Sequence, residues 1–329
     1  MPGLLFSHAY FQAHGAALMA AAARHGLALT PVVLPADPEA RADPARLADV
    51  EVAFFTSDIV PTHARQFFSA VFKCTRLAWV HIFNAGVDHQ VFTDLQQKGV
   101  RISTSSGANA ESVALAGITG MLMLARGFPR WLAGQRAREW RPMRGDAVPR
   151  DLRGQTALVV GVGAIGRHFA RMAQGLGLRV IGVRRGPRTP DDPVDDMQPP
   201  SQLAALLPQA DWLVIACPLT AQTRRLVDAT ALARLPKGAR IVNIGRGEVV
   251  DEQAMIDALR SGHLGGAYLD VFEKEPLPAE SPLWDLPDVL LSPHNSAASG
   301  GNDARVNAIF EQNLAHYARG EPLANEVKP

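Results

Sequence analysis

Cysteine is nearly missing from this sequence, Cys74 and Cys217 being the only two. Two thiols supply neither a disulfide framework nor a four-ligand zinc site, so a reducing compartment suits the chain and no metal centre is expected. An excess of charge is missing too, with 33 Lys and Arg against 32 Asp and Glu. The resulting net charge of +1 sets up no field that would gather a polyanion, which argues against nucleic acid as a partner. Nor is any apolar run long enough to cross a bilayer: the longest, Val113–Ala125, is short and carries two glycines and a threonine. Met1–Phe6 has no basic residue ahead of an apolar segment, so no secretory signal is read and a cytoplasmic location is expected.

What is present is length and apolar content. At 329 residues, 47% of them hydrophobic, the chain is long enough for about two domains with cores of their own. In the first hundred residues short apolar runs at 4–7, 32–34, 52–56, 79–83 and 100–103 alternate with helical patterns such as 11–25. That rhythm predicts a parallel α/β domain. A long apolar helix is expected over Ala110–Arg126, followed by an Arg- and Trp-rich stretch at 127–151. Strands then resume at 157–160, 179–183, 212–215, 240–243, 266–269 and 289–291, the pattern of a doubly wound nucleotide domain. Asn302–Arg319 reads as a final helix with Ala304, Ile309, Leu314 and Tyr317 inward. The segment Arg184–Pro200, with five prolines and four aspartates, reads as a surface loop. The predicted fold class is therefore α/β with two doubly wound parallel sheets: a Rossmann-type cofactor domain, 105–295, inserted in a flavodoxin-like substrate domain, 1–104 and 296–329.

Gly161-Val162-Gly163-Ala164-Ile165-Gly166 follows one of these strands directly and opens a helical pattern. In that context Gly161 permits a tight turn, Gly163 lets backbone approach a pyrophosphate, and Gly166 allows close helix packing. The helix start, at Ala164 and Ile165, offers free N–H groups and a positive dipole end to phosphate. An NAD site usually carries an acidic residue at the end of the next strand, whereas here that strand ends in Arg184-Arg185. Two guanidiniums suit a 2′-phosphate, so NADP(H) is the expected cofactor, with NAD(H) as the alternative. In that alternative both arginines face solvent and Asp191 or Asp192 loops back to the ribose.

Three further polar segments begin where predicted strands end: 243–247, 270–276 and 292–296. Strand C-termini surround the ligand crevice of an open α/β sheet, so Arg246, Glu275 and His294 can converge there. Glu273 is the neighbour that competes with Glu275. The chain resembles the D-isomer-specific 2-hydroxyacid dehydrogenase family over essentially its full length. The resemblance rests on Asn84–Asp88, Gly161–Gly166, Cys217-Pro218-Leu219-Thr220 with Thr223, Asn243–Asp251, Leu269–Pro276 and Pro293-His294, all in family order.

The resemblance implies that Arg246 binds the substrate carboxylate and polarises its 2-oxo group. It implies that His294 is the general acid in reduction and that Glu275 fixes its tautomer. Backbone around Ala85, Gly86 and Val87 would take the substrate carboxylate from the other domain. Asp270 would contact the nicotinamide carboxamide, and Cys217, Pro218, Thr223, Ile244, Gly245 and Ser296 would complete the cofactor site. The chain departs from the family pattern in Arg184, which replaces the usual aspartate, and in the long helix, where Glu111 leaves the register of the expected acid open. With its NADP-type strand end, the chain is similar to reductases of small polar 2-oxo acids, glyoxylate and hydroxypyruvate. A different 2-oxo acid with NADH, or a nucleotide-sensing protein on the same fold, are the rival readings. The family also implies a homodimer, with 127–151 wrapping a second subunit; a solvated arm with two buried indoles, or a nucleic-acid contact, are the other readings of that stretch.

Overall fold

A computed structural model describes residues 1–329 apart from Pro61, Asp88 and Pro329. Asp88, the last residue of the Asn84–Asp88 motif, thus lies outside the described residues. The chain divides into two compact units, Met1–Asn109 with Gly300–Pro329, and Ala110–Ser299. The divisions fall a few residues beyond 104 and 295 for a local reason. Residues just past 104 still hydrogen-bond into the first sheet, Ser105 N–H donating to Ile82 O at 2.8 Å, and the long helix starts only at Ala110.

The first unit holds five parallel strands: β1 (Gly3–Phe6), β2 (Thr30–Val33), β3 (Val50–Phe55), β4 (Trp79–Ile82) and β5 (Arg101–Thr104), in the order β2-β1-β3-β4-β5. Their near-continuous apolar runs are what a sheet covered on both faces requires. Alternation along each strand sorts the side chains: Leu4, Phe6, Val52 and Phe54 go to one core, Leu5, Ala53 and Phe55 to the other. The closing helix, Asn302–Ala318, packs Val306, Phe310 and Leu314 into the first of these, with Phe310 stacked on Phe54 at 4.2 Å. Of the residues expected inward, Leu314 is fully buried and Ile309 and Tyr317 pack, partly covered, against the same core, whereas Ala304 is exposed and Val306 and Phe310 complete the inward face.

In the same core His81 is completely buried, its Nδ1 2.7 Å from Ser103 Oγ and its Nε2 2.9 Å from Ser105 Oγ. Burial pushes its pKa down to about 3, so it is a neutral core imidazole.

The second unit is built on seven parallel strands: β6 (Thr156–Val160), β7 (Arg179–Val183), β8 (Asp196–Gln198), β9 (Trp212–Ile215), β10 (Ala239–Asn243), β11 (Leu264–Leu269) and β12 (Val289–Leu291). Their order is β12-β11-β10-β9-β6-β7-β8, reversing direction between β9 and β6. Six strands were expected; the seventh, β8, lies in the proline-rich segment read as loop. It is an edge strand paired only with β7, which is where proline neighbours and aspartate are tolerated.

In 127–151 a helix, Phe128–Ala137, is followed by irregular chain. The reading of two buried indoles is wrong: Trp131 is 40% and Trp140 96% exposed. No apolar element of the chain reaches Trp140, among the described residues, to cover its ring.

Candidate active site

The reversal of strand order between β6 and β9 splays the loops that follow them, which is where a doubly wound sheet binds its ligand. Gly161 leaves β6 with φ +99°, and a Cβ there would lie 2.5 Å from Cys217 N in the loop after β9. Gly166 is equally constrained, since a Cβ would fall 2.0 Å from Gly161 O. Helix Ala164–Gly175 starts without a side-chain cap, and above Gly163 a Cβ would meet nothing within 4 Å. Open space over uncapped amides at Ala164 and Ile165 is a cradle that fits a pyrophosphate. The other expected cofactor residues line the same edge. Thr223 Oγ donates to Pro218 O at 2.7 Å, knotting the loop that begins at Cys217, and Ile244 N–H donates to Ile215 O at 3.0 Å, holding the β9 and β10 ends together.

The turn carrying Arg246 is shaped by Asn243. Its Oδ1 accepts from Gly245 N at 3.1 Å, and its Nδ2 donates to Arg246 O at 3.1 Å. Sequence reasoning quoted Asn243 but gave it no role; a side-chain amide two residues before a glycine at a strand end is the signal that would have found it. Gly247 lets this turn abut the next one, because a Cβ would sit 1.9 Å from Phe272 C.

Asp270, at the end of β11, is 1% exposed. Its Oδ1 accepts from Ser292 Oγ at 2.5 Å and from the N–H groups of Asn295 and Ser296 at 3.0 Å each, while Oδ2 accepts from Ser296 Oγ. Its carbonyl accepts from His294 N–H at 2.8 Å. So Asp270 and Ser296, both expected to touch cofactor, bind each other and hold the loop that carries His294. Ser292, also hydrogen-bonded to Tyr268 OH at 2.9 Å, is a support that sequence reasoning missed.

His294 and Glu275 meet: Nδ1 lies 2.7 Å from Glu275 Oε2, and Glu275 Oε1 accepts from Phe272 N–H at 3.0 Å. The carboxylate bond raises the His294 pKa above its ordinary value, against burial and against the nearby positive charge of Arg246. For Glu275 burial works the other way, but the hydrogen bonds from His294 and Phe272 and the charges of His294 and Arg246 outweigh it and hold the carboxyl pKa down. Glu273 is not part of this pair; it bonds Arg225 at 3.1 Å. With Nδ1 committed to Glu275, Nε2 is the nitrogen left to exchange a proton.

At the end of β7 Arg184 is partly buried and Arg185 exposed. Arg184 forms a two-pronged ion pair with Asp192, Nη2 to Oδ2 at 2.6 Å and Nη1 to Oδ1 at 3.0 Å. Ala85, Gly86 and Val87 belong to the first unit, following β4, where Ala85 is exposed and Gly86 and Val87 are partly covered. His89 is the N-cap of helix Gln90–Gln97, its ring accepting from Val91 N–H.

The sequence pattern of the family described as "D-isomer specific 2-hydroxyacid dehydrogenase, NAD binding domain" matches residues 118–296. A relative named (S)-sulfolactate dehydrogenase, from Chromohalobacter salexigens, is 36% identical over 70% of this chain and 74% of its own. Glyoxylate/hydroxypyruvate reductase B of Pectobacterium carotovorum is 34% identical over 77% of this chain and 80% of its own. Among solved structures, a D-isomer specific 2-hydroxyacid dehydrogenase from Xanthobacter autotrophicus, in complex with NADPH and MES, superposes with a TM-score of 0.79 at 30% identity. The match covers 100% of this chain and 98% of that one.

Proposed function

The chain belongs to the D-isomer-specific 2-hydroxyacid dehydrogenases, with a nicotinamide-cofactor domain, and on that premise we propose that it reduces small 2-oxo acids, glyoxylate and hydroxypyruvate, to 2-hydroxy acids with NADPH. The observation that carries the chemistry is the 2.7 Å His294–Glu275 pair beside Arg246. The nicotinamide, when bound, supplies the hydride to the carbonyl carbon. Arg246 binds the substrate carboxylate and draws charge toward the carbonyl oxygen, its planar fork suiting two oxygens at once. His294 donates the Nε2 proton to that oxygen, and Glu275, fixed by the Phe272 amide, keeps the imidazolium favoured until the proton leaves. In oxidation the same nitrogen takes the proton back. Arg246 and protonated His294 are the positive groups that complement a substrate carboxylate, with Glu275 and Asp270 offsetting them from behind the imidazole.

The small polar substrates are supported by relatives with those names, and NADPH by an exposed arginine, Arg185, where the strand end after β7 would otherwise carry an acid. A 2-oxo acid bearing a second anionic group is the second reading, favoured by the relative named for sulfolactate. The test is NADPH and NADH oxidation at 340 nm with glyoxylate, hydroxypyruvate, pyruvate, sulfopyruvate and a phenyl-substituted 2-oxo acid. Fast turnover of the first two with NADPH is expected; preference for sulfopyruvate would move the assignment to the second reading, and no turnover with any would sink both. The assembly proposed is a homodimer, whose second copy covers Trp140 and the exposed Trp131, Val148 and Trp284 of the same unit. Light scattering at the mass of a single 35.3 kDa chain would refute it.

A further inference from the structure

A guanidinium has five N–H donors and no acceptor, so its commitments can be counted. Arg184 has spent all five. Nε donates to Gly186 O at 3.3 Å; Nη1 donates to Val162 O at 3.3 Å and to Asp192 Oδ1 at 3.0 Å; Nη2 donates to Asp192 Oδ2 at 2.6 Å and to Pro187 O. Asp192 is equally committed. Besides Arg184 it accepts from Arg167 Nη1 at 2.5 Å, from Thr189 N–H at 2.6 Å and from Thr189 Oγ at 2.9 Å, with its side chain fully buried. The neighbouring Arg188 is turned back onto Val194 O at 2.7 Å and Asp195 O at 3.3 Å.

These bonds tie three pieces of chain together: the glycine-rich turn through Val162 O, the first turns of helix Ala164–Gly175 through Arg167, and the loop after β7. Neither half of the Arg184–Asp192 pair has a group left to read the ribose 2′ position. Arg185, the next residue at the same strand end, is exposed and has no hydrogen bond or ion pair among the described residues.

We propose that Arg185 alone discriminates the 2′-phosphate of NADPH from the 2′-hydroxyl of NADH, and that Arg184 is a positioning residue, knotted to Asp192, that fixes the loop presenting it. This inference rests on the NADPH reading above, and reassigns to one arginine the recognition expected of two. It also removes Asp192 as a partner for a ribose hydroxyl, since its carboxylate takes five donors already.

The test measures dissociation constants for NADPH and NADH by calorimetry, with melting temperatures, in the unsubstituted protein, Arg185→Gln, Arg184→Gln and Arg184→Lys. Arg185→Gln should weaken NADPH about tenfold or more and leave NADH and the melting temperature unchanged. The Arg184 variants should melt earlier, Lys included because an ammonium cannot fill five directions, and should weaken both cofactors by a common factor. A selective loss of NADPH in an Arg184 variant, with Arg185→Gln keeping the original ratio, would overturn the assignment. If Arg184→Gln does not fold, Arg185→Gln still decides it alone. Equal affinities in the unsubstituted protein would instead bring down the NADPH reading, and the Arg185 assignment with it, while unchanged melting of the Arg184 variants would separately disprove the knot.

Discussion

His81 in the first unit and His294 in the second are both held through ring nitrogens, yet their protons respond in opposite ways. His81 sits between two serine hydroxyls in an aromatic core, and burial pushes its pKa down to about 3. His294 is half-buried and bonded to a carboxylate, which raises its pKa. Burial disfavours the imidazolium at both sites; only an ionised partner overcomes it. Hydrogen-bond geometry alone would rank the two as similar, and the charge of the partner is what separates a structural imidazole from one suited to move protons.

The sharpest way to break this comparison is to remove the reactive ring. His294→Ala is expected to lower kcat about 10²- to 10⁴-fold while NADPH affinity, measured by fluorescence, stays within about threefold. Turnover near the original rate would rule out His294 as the acid. Converting the second site toward the first comes next. Glu275→Gln keeps a hydrogen bond but deletes the charge, so the His294 pKa should fall and kcat should drop about 10- to 100-fold. The sign follows from the role: reduction needs protonated His294, so its rate declines as pH rises through that pKa, and in the variant the decline should move to lower pH. A pH–rate profile with an unmoved limb would contradict the account.

The remaining test concerns His81 and is read in stability rather than rate. A histidine whose folded pKa is depressed contributes stability that is intact above its unfolded value of about 6.5 and is lost as pH falls toward about 3. At pH 4.5 the loss is roughly 2 to 3 kcal/mol. His81→Asn, which cannot take up that proton, should therefore show a flatter urea midpoint against pH between about 6 and 4 than the unsubstituted protein. Parallel curves would mean that His81 is protonated in the folded state.

Much of this was legible along the chain. Gly161–Gly166 could be read because strand, turn and helix are contiguous, and Arg246, Glu275 and His294 because each follows a strand end. Asp192 could not be given its role: its partners come from a helix, a turn and its own loop, in a segment without periodicity. β8 escaped notice because an edge strand needs only one neighbour and so carries no apolar run. On the last helix only Ala304 was misplaced: five residues before Ile309, it falls off the four-residue spacing that carries Val306, Phe310 and Leu314 into the core.

His294 has φ +49°, in the left-handed region, where a residue with a Cβ is held at a cost of roughly 1 kcal/mol. Glycine would sit there without that cost and asparagine with little of it. A population of variants screened only for resistance to heat or protease would thus drift toward glycine or asparagine at 294, gaining robustness as it loses catalysis. Selection on growth that depends on the reaction would hold histidine in place, so the residue that recovers at this one codon reports which of the two pressures was applied.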